Sequence, residues 1–430
     1  MEFRDITNER TLLASYKTVF VDNQGYELVR PYRDHGRAFP VFLDRVFAPA
    51  ARGGPLDFID YRMRTSMDDT DAGRIFVLER NDSSAGKAVA RLFWVWLSPA
   101  LVKQYRDDTS NTPVLRANVV LHPRAGLEDY PAYWRGGVDP VKLPNFLELG
   151  ARYLCKEKFT VAQHFCGVRR AGPKLDGGPC PSAFAVVVPV CSAAAYADLT
   201  DPATLSEALR HIGRRCYAAI SARLVPVAAV QLERIAVSAY SRSGAVLSRL
   251  LAAGRRDDRF MSESLREVYA FDVMLDEKVA GRVVKTKRQG YDELWNRLTA
   301  WQGDDADKRI RLYSAERATV DGIYQELRTR LARYGGGYHN ASVKFSSFNG
   351  TRRPDGTKFS GLADGYEIYS TDNSRSLVLL PSNNALVYLS TENLKNDGGF
   401  GLGGDYEPGL EGHSWFVSRL MSHALFHSGF

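Results

Sequence analysis

The chain has 430 residues, of which 44% are hydrophobic and 25% are charged. These fractions are typical of a globular protein and exclude a disordered or fibrous chain. The apolar run at residues 184–190 is far shorter than the roughly 20 residues that a membrane-spanning helix needs, so we expect no membrane span.

The charge and cysteine content exclude further classes of protein. Lys and Arg number 57 against 50 Asp and Glu, a net charge of +7, and the arginine pairs are scattered along the chain. Nucleic-acid binding usually needs one concentrated basic face, so we do not expect it.

The five cysteines are an odd number without CxxC spacing, which predicts reduced structural thiols rather than disulfides or a zinc site. The first ten residues contain no readable signal peptide, so we expect a cytoplasmic location, with signal-less secretion as the alternative.

The order of predicted elements indicates the fold class. Residues 1–73 contain one candidate hairpin, at 18–29, and are predicted to be an N-terminal elaboration of a main domain at 74–430. Strands are predicted at 74–79, 88–97, 114–121, 184–190, 233–240, 266–274, 309–313 and within 367–380. Helices are predicted at 145–157, 202–224, 244–253, 291–301, 320–334 and 414–426. An antiparallel pair followed by alternating strands and helices predicts an α/β fold, with a mostly parallel eight-stranded sheet between two helical layers.

The most informative segment is the strand, turn and helix at residues 235–247. The turn, AYSRSG at 239–244, has the small-x-Ser-x-small pattern of a nucleophile elbow, with Ala239 and Ser243 where glycines are more usual. Such a turn forces Ser241 into a strained backbone conformation. It also raises the hydroxyl above the carboxyl edge of the sheet, beside helix amides that favour negative charge. The alternative is a plain strand–helix turn with a serine near the N-cap.

With this turn after the fifth of eight strands, residues 74–430 resemble the α/β-hydrolase fold. The loop after the third strand, LHPRAG at 121–126, lies where that family has its oxyanion loop. The resemblance implies that a backbone N–H of Arg124 or Ala125 acts with that of Arg242 to hold an oxyanion, since Pro123 has no N–H.

The resemblance also implies a catalytic triad in the order Ser, Asp, His. His413, which opens the last predicted helix, is the expected base, the alternative being a helix residue without a catalytic role. Asp272, at the end of the strand after that of Ser241, is the preferred acid, and Glu316 after the next strand is the alternative.

The expected activity is that of a serine hydrolase that cleaves an ester, thioester or amide of a small-molecule or acyl substrate through an acyl-enzyme. Tyr130, Tyr133 and Trp134 follow the oxyanion loop and, with Tyr240, are candidates to line the pocket; the alternative for the loop aromatics is anchorage to the core. We expect no metal and no cofactor, because no metal-ligand motif appears and the GxGxxG string at 399–404 lacks its strand and helix. Two other functions stay open, an acyltransferase on the same triad and a catalytically silent binding scaffold.

Overall fold

The computed structural model describes residues 3–5, 74–80, 90, 92–108, 110, 112–123, 183–190, 196–221, 227, 229–254, 258–305, 307–314, 319–323, 325–326, 340–343, 365–369, 375–379 and 428–430. The hairpin predicted at 18–29 and the helices predicted at 145–157 and 414–426 lie outside these residues.

The described strands form one eleven-stranded sheet and a separate hairpin. The sheet strands are β1 (Phe3–Asp5), β2 (Arg74–Arg80), β3 (Leu92–Leu97), β4 (Val114–Leu121), β5 (Ala185–Val190), β6 (Gln231–Tyr240), β7 (Leu265–Phe271), β10 (Arg309–Ser314), β11 (Asn340–Val343), β12 (Gly365–Tyr369) and β13 (Arg375–Leu379). The hairpin strands are β8 (Glu277–Val279) and β9 (Arg282–Lys285).

The strand order is β1-β2-β3-β5-β4-β6-β7-β10-β13-β12-β11. All neighbouring pairs from β5 to β13 are parallel, whereas β3 runs against both β2 and β5. The prediction of an α/β fold with a mostly parallel sheet is therefore confirmed, and each of the eight predicted strands has a counterpart. Strands β1, β11 and β12 extend the sheet by antiparallel pairing and were not predicted.

The core covers both faces of the central strands. Every residue of β3 and β5 is buried, and successive side chains of a strand point to opposite faces, so neither face is open to solvent there. The run of valines in β5 is the composition expected of a strand buried in this way.

Four α-helices are complete within the described residues. They are α1 (Pro99–Asp107), α2 (Pro202–Ile220), α3 (Gly244–Ala253) and α4 (Lys287–Gln302). Helix α3 connects β6 to β7, and α4 leads from the hairpin to β10, so both cross from the carboxyl edge of the parallel strands to the amino edge. None of the helices in the described part of the chain is long and apolar enough to cross a bilayer.

The helices differ from the predictions in three respects, one additional helix and two shifted boundaries. Helix α1 was not predicted, although Ser98 caps it by accepting the Leu101 N–H at 3.2 Å. The helix predicted at 202–224 ends at Ile220, because Ser221 takes an extended backbone conformation. The helix predicted at 291–301 begins at Lys287, where Thr286 and Gln289 form a reciprocal capping box.

A buried ionic cluster lies near the amino ends of β6 and β7. Glu267 is fully buried, and one of its carboxylate oxygens accepts hydrogen bonds from Arg234 at 3.0 Å and from the Gly429 N–H at 2.8 Å. The other oxygen accepts the hydroxyl of Tyr269. These charge-assisted bonds satisfy the buried carboxylate and connect β6, β7 and the segment at Gly429 at this edge of the sheet.

Candidate functional site

Three polar residues directly follow three adjacent parallel strands at the carboxyl edge of the sheet. His122 follows β4, Ser241 follows β6 and Asp272 follows β7. Leu121 pairs with Ala239 and Tyr240 pairs with Phe271, so the three strands end in register. Because neighbouring strands lie about 4.8 Å apart, the backbones of these residues are adjacent.

Ser241 occupies a strained turn between β6 and α3. Its φ is 55°, in the left-handed region that costs a residue with a Cβ about 1–2 kcal/mol. The surroundings hold this conformation, since the Ser241 carbonyl accepts the Met274 N–H at 2.8 Å. The strained backbone conformation predicted for Ser241 is therefore confirmed. The residue as a whole is 6% exposed, at the start of the short 3₁₀ turn Ser241–Ser243.

The hydroxyl of Ser243 joins the elbow to the end of β4. Its Oγ accepts the Tyr240 N–H at 2.8 Å and lies 2.8 Å from the carbonyl oxygens of both Leu121 and Tyr240, to which its one hydrogen can be donated. Ser243 is fully buried, so these bonds form away from water. A glycine at this position would supply none of them. The departure from the usual glycine therefore has a structural reason that the sequence pattern did not reveal.

Gly244 lets the start of α3 pack against the chain that follows Asp272. A Cβ on Gly244 would lie 2.5 Å from the Cβ of Val273 and 3.2 Å from Leu275 Cδ2. A Cβ–Cβ distance of 2.5 Å does not occur in well-packed proteins, so the close approach of helix and loop requires glycine here. Sequence reasoning singled out the elbow but missed this requirement.

Asp272 is buried beside the elbow and faces a cation. Its φ is 38°, its N–H donates to the Tyr313 carbonyl at 2.9 Å, and it is 6% exposed. Its Oδ1 lies 3.6 Å from Nζ of Lys287, the first residue of α4. A buried carboxylate needs a partner, and in the predicted triad that partner is the imidazole of His413. The structure shows an ammonium as one such partner, which was not predicted.

His122 is the first residue after β4, and its side chain is buried. Burial lowers its pKa to about 4, so the ring is neutral at pH 7. Its Nδ1 lies 2.6 Å from the Pro123 carbonyl, and since a carbonyl only accepts, Nδ1 carries the hydrogen. The ring packs edge-on against Tyr196, whose hydroxyl reaches the carbonyls of Pro189 and His122. This packing fixes the start of the predicted oxyanion loop.

The remaining predicted site residues divide into two groups. Arg242 is exposed at the N-terminal side of α3, and Tyr240 is 4% exposed at the end of β6. The others lie outside the described residues, namely Arg124, Ala125, Tyr130, Tyr133, Trp134, Glu316 and His413. Of the predicted site residues, the structure therefore places Ser241 and Asp272 at the same sheet edge, with Lys287 and the segment at His122 beside them.

The arrangement presents a hydroxyl on a strained turn, a buried carboxylate and a helix N-terminus at one sheet edge. Within the described ranges, no group of three or more His, Cys, Asp or Glu side chains is placed to hold a metal ion. Comparison of the chain with family models, with characterised proteins and with solved structures gave no match.

Proposed function

We propose that the chain is a serine hydrolase of the α/β-hydrolase type, with Ser241 as its nucleophile. The observation that carries the proposal is the left-handed Ser241 on a turn of three residues between a buried strand and a helix. A non-glycine residue is held in such a conformation only where the surrounding structure imposes it, and these positions concentrate at active sites. The order β2-β3-β5-β4-β6-β7-β10-β13, with β3 alone reversed, adds support because it resembles the strand order of that fold.

The proposed reaction is acyl transfer to Ser241 and then to water. His413 removes the Ser241 proton as Oγ attacks the substrate carbonyl, and Asp272 orients and stabilises the imidazolium. The backbone N–H of Arg242, with that of Arg124 or Ala125, holds the oxyanion. His413 then gives its proton to the leaving group. Water, activated in the same way, hydrolyses the acyl-enzyme and restores the serine.

The elbow is built to keep this geometry constant. The Ser241 carbonyl is held by Met274, and the Tyr240 N–H by Ser243 Oγ, so the turn is fixed on both sides of the nucleophile. The first turn of α3 follows directly, which places the partial positive charge of a helix N-terminus beside the developing oxyanion. The substrate proposed is an ester, thioester or amide with an apolar acyl or aromatic part, facing Tyr240, Tyr130, Tyr133 and Trp134.

One observation favours a second candidate, a catalytically silent scaffold. Lys287 Nζ lies 3.6 Å from Asp272 Oδ1, so the carboxylate that would orient the base already faces a cation. In a silent scaffold this ion pair would serve packing alone. The two candidates differ in whether the Ser241 hydroxyl is activated.

Labelling with a fluorophosphonate probe, followed by peptide mapping, decides between them. We expect phosphonylation of Ser241 in the wild type and none in Ser241→Ala. Ser262→Ala, which removes a half-buried hydroxyl bonded to the Asp258 carbonyl at the opposite edge, is the matched control and should label like the wild type. Label retained in Ser241→Ala would overturn the elbow assignment. A folded wild type without label would establish the silent scaffold.

A further inference from the structure

The hairpin β8–β9 carries an unusual surface. It lies between the end of β7 and the start of α4, so it projects from the same sheet edge as Ser241. All residues from 276 to 284 are exposed. Val279, Val283 and Val284 are 56%, 56% and 57% exposed, and they are the exposed large hydrophobic side chains of the described part of the chain. Single apolar side chains on a surface are ordinary, but three exposed valines within six residues make both faces of this hairpin unusually apolar, since Val279 and Val283 belong to consecutive cross-strand pairs.

Basic side chains surround these valines. The hairpin, residues 277–285, contains Lys278, Arg282 and Lys285 against one acidic residue, Glu277, a net charge of +2. Lys278 and Arg282 are exposed, and Nζ of Lys285 lies 3.4 Å from Oε2 of Glu293 in the second turn of α4. The tip is therefore both apolar and cationic.

The hairpin is compact without help from a partner. Ala280 and Gly281 have φ values of 47° and 80°, the two positive values of the tight two-residue turn that joins paired strands. Val279 and Arg282 pair directly across that turn. A hairpin already folded loses little conformational freedom when it binds, which favours its use as a docking element.

We propose that this hairpin docks the protein onto an anionic lipid surface. The valines would enter the boundary between head groups and acyl chains, and the basic side chains would face the head groups. A second copy of the chain fits the hairpin less well, because pairing two hairpins would bring two net charges of +2 together. The carboxyl edge that carries Ser241 would then face the lipid. This inference does not depend on hydrolysis.

The test is flotation of the full chain with vesicles of neutral phosphatidylcholine, or of phosphatidylcholine with 30% phosphatidylglycerol. We expect binding to the anionic vesicles only, weakened by salt. Each basic residue near an anionic surface contributes about fivefold in affinity, so Lys278→Gln with Arg282→Gln should weaken binding about 25-fold. Replacing the three valines by serine should weaken it at least about tenfold.

The matched control removes two positive charges elsewhere. Lys103 and Arg106 are exposed on α1, whose two ends connect at the opposite edge of the sheet, and Lys103→Gln with Arg106→Gln should bind like the wild type. Ser241→Ala should also bind vesicles like the wild type. A chain that does not bind vesicles would therefore leave the proposed hydrolase untouched, and a chain that is not labelled at Ser241 would leave the lipid-binding inference untouched.

The proposal is overturned by absence of binding to anionic vesicles, by equal binding to neutral ones, or by hairpin variants that behave like the control. It is also overturned if only the charge variant or only the valine variant loses binding. Hairpin-dependent self-association in analytical ultracentrifugation, without vesicle binding, would show that the hairpin binds a second copy of the chain instead.

Discussion

Replacement of His122 by asparagine should change how stability depends on pH. His122 is fully buried, and its pKa is lowered from 6.5 to about 4 by loss of contact with water. An asparagine side chain would keep an N–H donor near the position of the imidazole Nδ1, which lies 2.6 Å from the Pro123 carbonyl, but it would not titrate. The substitution therefore removes a proton-binding group while keeping the main hydrogen bond.

The direction and size of this pH-dependent change in stability follow from the pKa values of His122 in the unfolded and the folded chain. As the pH falls below 6.5, the unfolded chain binds a proton at His122 while the folded chain stays neutral until about pH 4. The stability associated with neutral His122 is therefore complete above pH 6.5 and is lost progressively as the pH falls to about 4. At about 1.4 kcal/mol per pH unit, the loss amounts to roughly 3 kcal/mol.

Urea unfolding of both proteins between pH 7 and pH 4 measures this difference. We expect the variant to lose roughly 3 kcal/mol less stability across the range than the wild type, because all other titrating groups are shared. His211→Asn is the matched comparison. The pKa of His211 is also lowered by burial, but its side chain is 25% exposed, so its effect should have the same sign and be smaller. Parallel curves for wild type and His122→Asn would refute the assignment of a buried neutral ring.

Two further substitutions test the site. Asp272→Asn should reduce kcat/KM on a reactive ester far more than Glu316→Gln does. The reason is that Asp272 is buried next to the Ser241 turn. The opposite ranking would assign the acid of the triad to Glu316. Gly244→Ala should lower the free energy of unfolding by about 1–3 kcal/mol, because the added Cβ would lie 2.5 Å from the Cβ of Val273. We expect this loss although alanine has a better helix propensity than glycine. Urea unfolding measures it, and an unchanged or raised stability would show that the contact relaxes without cost.

The central strands and the strained turn at Ser241 were predictable because their signals are local. Strand β6 ends at a turn of three residues that leads directly into α3, and Ala239 and Ser243 are small residues on either side of Ser241, so adjacent residues were enough to predict a strained turn. Helix starts also leave local signals, and two were overlooked. Ser98 followed by Pro99 marks the start of α1, and Thr286 with Gln289 forms the capping box of α4.

Other features depend on contacts between distant segments and leave no local signal. The Ser243 bond to Leu121 and the approach of Lys287 to Asp272 arise only when separate strands and helices meet. The hairpin was missed for another reason. Its valines are exposed, so the usual inference from apolar residues to a buried strand does not hold there.

The bond between Ser243 and Leu121 has a consequence for how the chain folds. The two residues are 122 positions apart, and pairing of β4 with β6 closes a loop of that length before the elbow exists. Loop closure of this kind is slow compared with local pairing such as that of β2 with β3. On the ribosome, the β4 segment must therefore wait until more than a hundred further residues have been synthesised. The strained serine is consequently assembled late, and a partly folded chain has a sheet edge but no elbow.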